Sequence, residues 1–238
     1  MSIDFIPPGT DWFPNPNNAD PDGLLAFGGD LSVRRLVESY ARGLFPWYGP
    51  GDPILWWSPD PRLVLAPAEL HVSRSLRRAI NSRRFTITVD QDFGAVIREC
   101  SLVPRPEGPG TWLVPEMVEA YVELHCAGWA HSVEARLDGE LVGGVYGVSV
   151  GRAFFGESMF YLEPEASKVA FVWLARLLES WGYGLIDCQQ TTAHLLRFGA
   201  REIPRNRFLA RLYSLVTQPP ADGAWAMPQA FDPLSSPS

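Results

Sequence analysis

An acid and an amide stand two positions apart near the end of a strand-like segment, residues 183–189. Because side chains alternate between two faces along a β-strand, we expect Asp187 and Gln189 on one face and Cys188 on the other. A carboxylate and a carboxamide held together can orient a nucleophile that must lose a proton. The same two side chains could instead cap the helix that begins near Thr192, and these residues alone leave that structural alternative open.

A further carboxylate, Glu157, lies in apolar sequence directly after Gly156. An unpaired charge is costly to bury, so Glu157 needs a partner. One interpretation is a salt bridge to Lys168, the only lysine in the chain. The other is contact with a substrate, and Gly156 would let a ligand approach the backbone closely. His194 could act as a base beside Gln189, but a histidine on a helix is more often structural, and we prefer that interpretation.

The elements that must position these side chains follow from sequence periodicity. Alternating residues predict a β-hairpin over 132–150, turning at an Asp-Gly pair, and a third strand over 153–161. An apolar stripe of helical spacing covers 167–181, and the strand at 185–189 follows it. Strands joined by helices in this order predict an α/β (α+β) fold with a mixed central sheet.

Two further helices carry apolar stripes. Ser32 can cap the first, and its stripe consists of Val33, Leu36, Val37, Tyr40 and Ala41. The second covers 115–126 and places Met117, Tyr121 and Leu124 on one face. We interpret both stripes as packing faces.

Composition divides the chain into three parts. Residues 1–65 are rich in Pro, Gly, Asp and Trp and predict a small N-terminal domain that would fold poorly alone. Residues 66–217 carry most of the helix and strand patterns and predict the larger domain. Residues 218–238 are loop-like and form a C-terminal tail.

Bulk composition excludes several classes of protein. The chain has 238 residues, 46% hydrophobic and 20% charged, as expected for a soluble globular protein. It has no apolar run that could cross a bilayer and no secretory signal pattern, so we expect a cytoplasmic protein without a membrane partner. Three widely spaced cysteines argue against a disulfide framework and a zinc site. Asp20, Asp22 and Asp30 lack the spacing of a calcium loop, so we expect neither a metal nor a cofactor.

Motif blocks run in order along nearly the whole chain. They cover residues 23–32, 43–47, 56–62, 110–112, 156–160, 166–168 and 186–189. In these blocks the chain resembles the leucyl/phenylalanyl-tRNA–protein transferases, bacterial enzymes that add Leu or Phe to proteins beginning with Arg or Lys. The resemblance implies an acetyltransferase-like (GNAT) catalytic domain, aminoacyl-tRNA as donor, and a product marked for N-degron degradation.

The resemblance also implies roles for individual residues. The catalytic pair of the family falls on Asp187 and Gln189, with the Gln189 carbonyl accepting from the attacking amine and Asp187 orienting that amide. The substrate site falls on Glu157, Gly156, Phe154, Met159, Val145, Trp47 and Trp112. Val145 departs from the methionine expected there. Trp47 and Trp112 suit stacking on the terminal nucleotide, and domain-interface packing is their alternative.

A transfer RNA partner would need positive charge, although the net charge of the chain is -7. Arginines gather in two stretches. The first contains Arg74, Arg77, Arg78, Arg83 and Arg84, and the second contains Arg197, Arg201, Arg205, Arg207 and Arg211. We assign the first stretch to tRNA binding, with a solvated helix face as the alternative.

Two competing functions remain. An acyl-CoA-dependent N-acetyltransferase would need a glycine-rich loop before the central helix, but residues 163–168 contain acids and no glycine, so we expect no CoA. A non-catalytic module that binds tRNA or peptide is not excluded by the residues, although the intact 186–189 block argues against it.

Overall fold

The computed structural model describes residues 3–103 and 113–235. The α-helices are α1 (Val33–Ala41), α2 (Arg74–Asn81), α3 (Phe93–Leu102), α4 (Pro115–Cys126), α5 (Ala166–Ser180), α6 (Ala193–Leu196) and α7 (Arg205–Leu215). The strands are β1 (Asp4–Ile6), β2 (Leu24–Gly28), β3 (Phe45–Pro46), β4 (Leu55–Trp57), β5 (Arg62–Leu65), β6 (Thr86–Val89), β7 (Ala130–Leu137), β8 (Glu140–Val150), β9 (Ala153–Tyr161), β10 (Leu185–Gln189) and β11 (Arg201–Ile203).

Among the described residues the strands form two sheets. The smaller sheet has the order β1-β2-β4-β3, and the larger has the order β11-β5-β10-β9-β8-β7-β6. Strand β5 pairs with β10 and β11 in the larger sheet, although it precedes residue 66. The division of the chain at residue 65 therefore remains a prediction about folding units.

The central part of the larger sheet has the predicted mixed topology. Strands β7, β8 and β9 are antiparallel, α5 crosses over the sheet, and β10 returns parallel to β9. The turn between β7 and β8 contains Asp138 and Gly139, both with positive φ, as the Asp-Gly pair predicts. Pairing of β10 with β9 ends at Asp187 and Phe155, so the remainder of β9 is free to separate from β10. A cleft between two strands of one sheet can form at this point.

Helix α5 packs on one face of this sheet. Ten of its residues are buried, which explains why its apolar residues extend beyond a single stripe. It has 15 residues. Within the part of the chain that the structure describes, no helix combines the length and apolar character needed to cross a membrane.

The C-terminal tail is packed against the larger domain. Its described residues, 218–235, form neither helix nor strand, as its composition predicted. Nevertheless Trp225, Met227, Phe231 and Leu234 pack against the core cluster formed around α5 and the sheet. Arg152 also donates a 2.9 Å hydrogen bond to the backbone oxygen of Pro219. The tail is therefore part of the folded molecule.

Candidate active site

A cavity of about 570 Å³ opens where β9 and β10 separate. Its wall contains most of the side chains that the sequence assigned to a site. These are Trp47, Val145, Phe154, Gly156, Glu157, Met159 and Gln189. They come from four separate stretches of the chain. The remaining predicted residue, Trp112, lies outside the described residues.

Asp187 is the exception, because the sequence predicts it beside Gln189 at the site and the structure places it away from the cavity wall. It is 0% exposed and does not line the cavity, whereas Gln189 and Cys188 both line it. The predicted common face of Asp187 and Gln189 is wrong because β10 is irregular here. Its pairing with β5 shifts register between these two residues, and Gln189 has a φ of +61°. Left-handed backbone at Gln189 breaks the alternation and turns its side chain toward the cavity.

A buried arginine balances the charge of Asp187. Arg62 donates from Nε to Oδ1 at 2.8 Å and from Nη2 to Oδ2 at 2.6 Å, and both side chains are fully buried. The guanidinium lies 4.9 Å from the ring centre of Phe45 and 4.5 Å from that of Phe208. Sequence analysis missed this partner. An arginine opening the apolar strand Arg-Leu-Val-Leu was the available signal, because a buried charge requires a counter-charge.

Asp187 reaches the cavity only through its neighbour. Its Oδ1 accepts a 2.9 Å hydrogen bond from the backbone N–H of Gln189. This bond holds the left-handed residue in place, which matters because such a backbone is uncommon for a residue other than glycine. Asp187 is therefore placed as a positioning residue for Gln189.

Glu157 lies at the centre of a hydrogen-bond network. Its Oε1 accepts from the Tyr40 hydroxyl and from Gln189 Nε2, each at 2.7 Å, and its Oε2 accepts from the Tyr121 hydroxyl at 3.2 Å. Tyr40 and Tyr121 are also hydrogen-bonded to each other. The alternative interpretation of Glu157, a salt bridge to Lys168, is wrong, since Lys168 Nζ donates to Glu165 at 2.8 Å.

The environment of Glu157 changes its titration. Burial raises its pKa from 4.5 to about 7; the tyrosine hydrogen bonds oppose this, and the nearby Asp187 charge adds to it. The side chain is half-buried because one edge faces the cavity. Burial, followed by the Glu157 charge, raises the pKa of Tyr40 and of Tyr121 well above the usual tyrosine range. The two hydroxyls therefore remain neutral hydrogen-bond donors near neutral pH.

The network also fixes the orientation of the Gln189 amide. A carboxylate accepts hydrogen bonds and cannot donate them, so the nitrogen of the amide faces ionised Glu157. The carbonyl oxygen of Gln189 is then directed away from that carboxylate. It can accept a hydrogen bond from a group bound in the cavity, such as an amine.

Comparison with known proteins decides the family. A family model described as "Leucyl/phenylalanyl-tRNA protein transferase" matches residues 64–213, and the model of the corresponding N-terminal domain matches residues 29–60. The chain belongs to the leucyl/phenylalanyl-tRNA protein transferase family. It is therefore an aminoacyltransferase, and the predicted resemblance is confirmed.

Relatives of the same name cover almost the whole chain. The transferase of Nitratidesulfovibrio vulgaris strain DP4 is 57% identical over 233 residues, which are 98% of this chain and 100% of that protein. The transferase of Anaeromyxobacter sp. strain Fw109-5 is 59% identical over 213 residues, 90% of this chain and 91% of that protein. Among solved structures, L-PGS from Bacillus licheniformis shares 12% identity with a TM-score of 0.40, covering 71% of this chain and 53% of that one. A score this low supports no conclusion about function.

The apolar part of the cavity of this transferase lies between β9 and α5. Its wall includes Val145, Phe154, Met159, Phe171 and Leu174. The Phe154 ring covers Gly147, where an added Cβ would come within 2.6 Å of the ring. Because Gly147 has no side chain, the Phe154 ring can occupy this space.

Cys188 and His194 also line the transferase cavity. Burial raises the pKa of the Cys188 thiol, so the thiol remains protonated and a poor nucleophile. Burial, followed by the charges of Lys168 and Arg197, lowers the pKa of His194. His194 packs edge-on against Phe198 at 5.1 Å between ring centres, which agrees with a structural interpretation.

The first arginine stretch lies at the surface of the transferase. Arg74, Arg77, Arg78, Arg83 and Arg84 are all exposed, on α2 and directly after it. Arg84 pairs with Glu163 at 2.6 Å. Within residues 3–103 and 113–235, the other four form no ion pair.

The fold engages two arginines of the second stretch in hydrogen bonds to the backbone. Arg205 is buried and donates to the backbone oxygen of Pro16 at 2.7 Å. Arg211 donates to the backbone oxygen of Gly184 at 2.6 Å. These two arginines therefore connect elements of the transferase and do not present a common charged surface.

One cluster of potential metal ligands lies apart from the residues that line the cavity. Ligand atoms of Asp90, His125 and His131 lie within 4.8 Å of one another. Each group already has a partner: His131 Nδ1 bonds Asp90 at 2.7 Å, and His125 Nδ1 bonds the backbone oxygen of Ala130 at 2.7 Å. Asp90 also accepts from the Ser132 N–H at 2.8 Å. We interpret the cluster as a structural connection at the start of β7.

Proposed function

We propose that this transferase moves Leu or Phe from aminoacyl-tRNA to the N-terminal amine of proteins that begin with Arg or Lys. One observation carries the proposal: a single cavity joins an apolar pocket to a carboxylate and an amide. The apolar part suits the aminoacyl side chain, and the polar part suits an amine. The name of the related transferases supports the same donor side chains.

The donor side chain occupies the apolar pocket in this proposal. Burying a side chain of the size of Leu or Phe contributes about 1.5–3 kcal/mol. Gly156 lies beside this pocket, and an added Cβ there would meet the Asp187 backbone oxygen at an ordinary 3.7 Å. Packing within the protein therefore does not require glycine at this position. A bound aminoacyl group that approaches the backbone supplies a reason for it.

Peptide-bond formation joins the acceptor amine nitrogen to the ester carbonyl carbon, and the bond to the ribose oxygen breaks. The Gln189 carbonyl oxygen accepts a hydrogen bond from the neutral amine and aims its lone pair at that carbon. The amine proton leaves with the ribose oxygen as the new hydroxyl. Because the ester is already activated, holding both reactants in place can lower the barrier by roughly 7–11 kcal/mol.

In its ionised form, Glu157 provides the negative charge that attracts the basic N-terminal residue of the acceptor. Its carboxylate faces the cavity and is held by Tyr40, Tyr121 and Gln189. We place the positively charged N-terminal residue of the acceptor near this carboxylate. Trp47, which also lines the cavity, would contact the terminal nucleotide of the donor.

The tRNA body would extend toward the exposed arginines of α2. Their guanidinium groups suit phosphate contacts that do not depend on sequence. We place the reaction in the cytoplasm because aminoacyl-tRNA is made there, and its products would enter N-degron degradation.

A transfer assay tests the proposal. Purified protein is mixed with tRNA charged with radiolabelled Leu, Phe or Met and with peptides that differ only in their first residue, Arg, Lys or Ala. We expect transfer of Leu and Phe to the Arg and Lys peptides and none to the Ala peptide. Acetyl-CoA in place of charged tRNA should give no acetylated peptide. Absence of transfer from all three charged tRNAs, or equal transfer to the Ala peptide, would contradict the proposal.

A further inference from the structure

An aromatic side chain of the C-terminal tail lies behind the wall of the apolar pocket. Trp225 stacks on His131 with 3.8 Å between ring centres and an interplanar angle of 1°. Its ring centre lies 5.6 Å from that of Phe154 and 5.1 Å from that of Trp181. The indole Nε1 donates a 3.1 Å hydrogen bond to the hydroxyl of Tyr183. Trp225 itself does not line the cavity, whereas Phe154 does.

Phe154 is confined from two sides. On one side Gly147 leaves room for the ring but for nothing more, since an added Cβ would lie 2.6 Å from Cζ and 2.7 Å from Cε1. Trp225 provides a second contact. The ring is fully buried, so on the sides away from the cavity it has little free volume into which it can move.

The surroundings of Trp225 are themselves fixed. His131 is held by Asp90 at 2.7 Å, and the Tyr183 hydroxyl is hydrogen-bonded to Ser149 at 2.7 Å. Trp225 has a φ of +67°, a conformation that a bulky residue adopts only when its contacts compensate for the strain. The tail therefore presents the indole in one defined position.

We propose that Trp225 is a specificity-determining positioning residue, which sets the depth of the aminoacyl pocket by holding Phe154. It acts through Phe154 and does not touch the substrate. This inference rests on the proposed function, because it concerns the side chains that the same pocket accepts.

The test compares donors of increasing size with the full-length transferase. Transfer to one Arg-starting peptide is measured with tRNA charged with Leu, Phe or Trp, for the wild type and Trp225→Ala. Removing the indole lets the Phe154 ring retreat, so the kcat/KM ratio of Trp to Leu should rise about 10-fold, a typical effect of altered pocket size. The KM of the acceptor peptide should not change. Trp225→Phe should raise the same ratio by a smaller factor. If Trp225→Ala does not fold, the wild type is compared with Trp225→Phe instead.

Phe231→Ala is the matched control. Phe231 also anchors the tail, but its ring packs on Trp173 with 5.5 Å between ring centres. This variant should leave the ratio of Trp to Leu at the wild-type value. An equal fall for all three donors in the Trp225 variants, or an unchanged ratio, would overturn the inference. Failure of the wild type to transfer any of the donors would instead contradict the proposed function.

Discussion

Arg62 and Asp187 form an ion pair in which both side chains have 0% exposure. Two hydrogen bonds of 2.8 and 2.6 Å join the guanidinium to both carboxylate oxygens. The pair connects β5 to β10 at the point where β10 becomes irregular. The same carboxylate holds the backbone of Gln189, so one buried contact determines where the amide enters the cavity.

Replacing Asp187 with Asn should destabilise the protein. The variant leaves a buried guanidinium without its counter-charge, and losing one partner of a buried pair costs about 3–5 kcal/mol. Urea unfolding of both proteins would measure the difference. Glu165→Gln is a suitable control because it breaks the partly exposed pair with Lys168, where we expect a change within about 1 kcal/mol. A similar small change for Asp187→Asn would show that the buried charge is not needed.

Shortening Gln189 should impair transfer without unfolding the protein. Asn tolerates left-handed backbone, so Gln189→Asn keeps the local conformation, but its amide is one methylene too short for its present bond to Glu157. We expect kcat/KM to fall about 100-fold, the scale of the loss when a reacting group is misplaced by about 1 Å. Gln190→Asn alters the neighbouring residue on the cavity wall and should retain most activity. Comparable losses in the two variants would argue against a specific role for Gln189.

The fold could be predicted largely because its central elements have regular patterns. The β7–β8 hairpin follows from alternation and an Asp-Gly turn, and α5 follows from its dense apolar spacing. Irregular backbone could not be predicted in the same way. No glycine marks the left-handed position at Gln189, and the rule of alternating faces assumes a regular strand. The prediction that Asp187 and Gln189 share one face of the strand is wrong for this reason.

The cavity residues followed from the family resemblance, but the residues that hold them did not. Helical spacing places Tyr40 and Tyr121 in apolar stripes, and their rings are indeed buried. Each hydroxyl lies at the end of such a ring and reaches Glu157, which is 117 and 36 residues away in sequence. Helical periodicity places a ring on a face but does not say what its polar end meets.

Glu157 should make stability depend on pH in an unusual direction. Its pKa is raised from 4.5 to about 7, so between these values the unfolded chain releases a proton that the folded protein keeps. The free energy of unfolding therefore falls as pH rises from about 4.5 to 7. Above that range Glu157 causes no further fall. Glu157→Gln removes this penalty, so it should be more stable than the wild type at pH 8, by at most about 3 kcal/mol.

Urea unfolding at pH 4.5, 6 and 8 would test this prediction. The advantage of Glu157→Gln over the wild type should grow with pH across this series. Glu119→Gln alters an exposed carboxylate on α4 and shows the effect of removing a solvated charge. A difference between Glu157→Gln and the wild type that is the same at all three values would contradict the raised pKa.

The arginines of α2 should control the salt dependence of tRNA binding. Arg74, Arg77 and Arg78 are exposed and, among the described residues, form no ion pair, so their charges are available to phosphates. Replacing all three with Gln should reduce the slope of log K against log salt concentration by up to about 3, close to one for each phosphate contact. Fluorescence anisotropy with labelled tRNA would measure the slope.

Because phosphate contacts position the tRNA and take no part in the chemistry, transfer at saturating tRNA should be unchanged. Replacing Arg197, Arg201 and Arg207, which are also exposed, removes the same charge from the second stretch and should affect the slope much less. Equal slopes for the two triple variants would show that net charge, and not the α2 surface, attracts the tRNA.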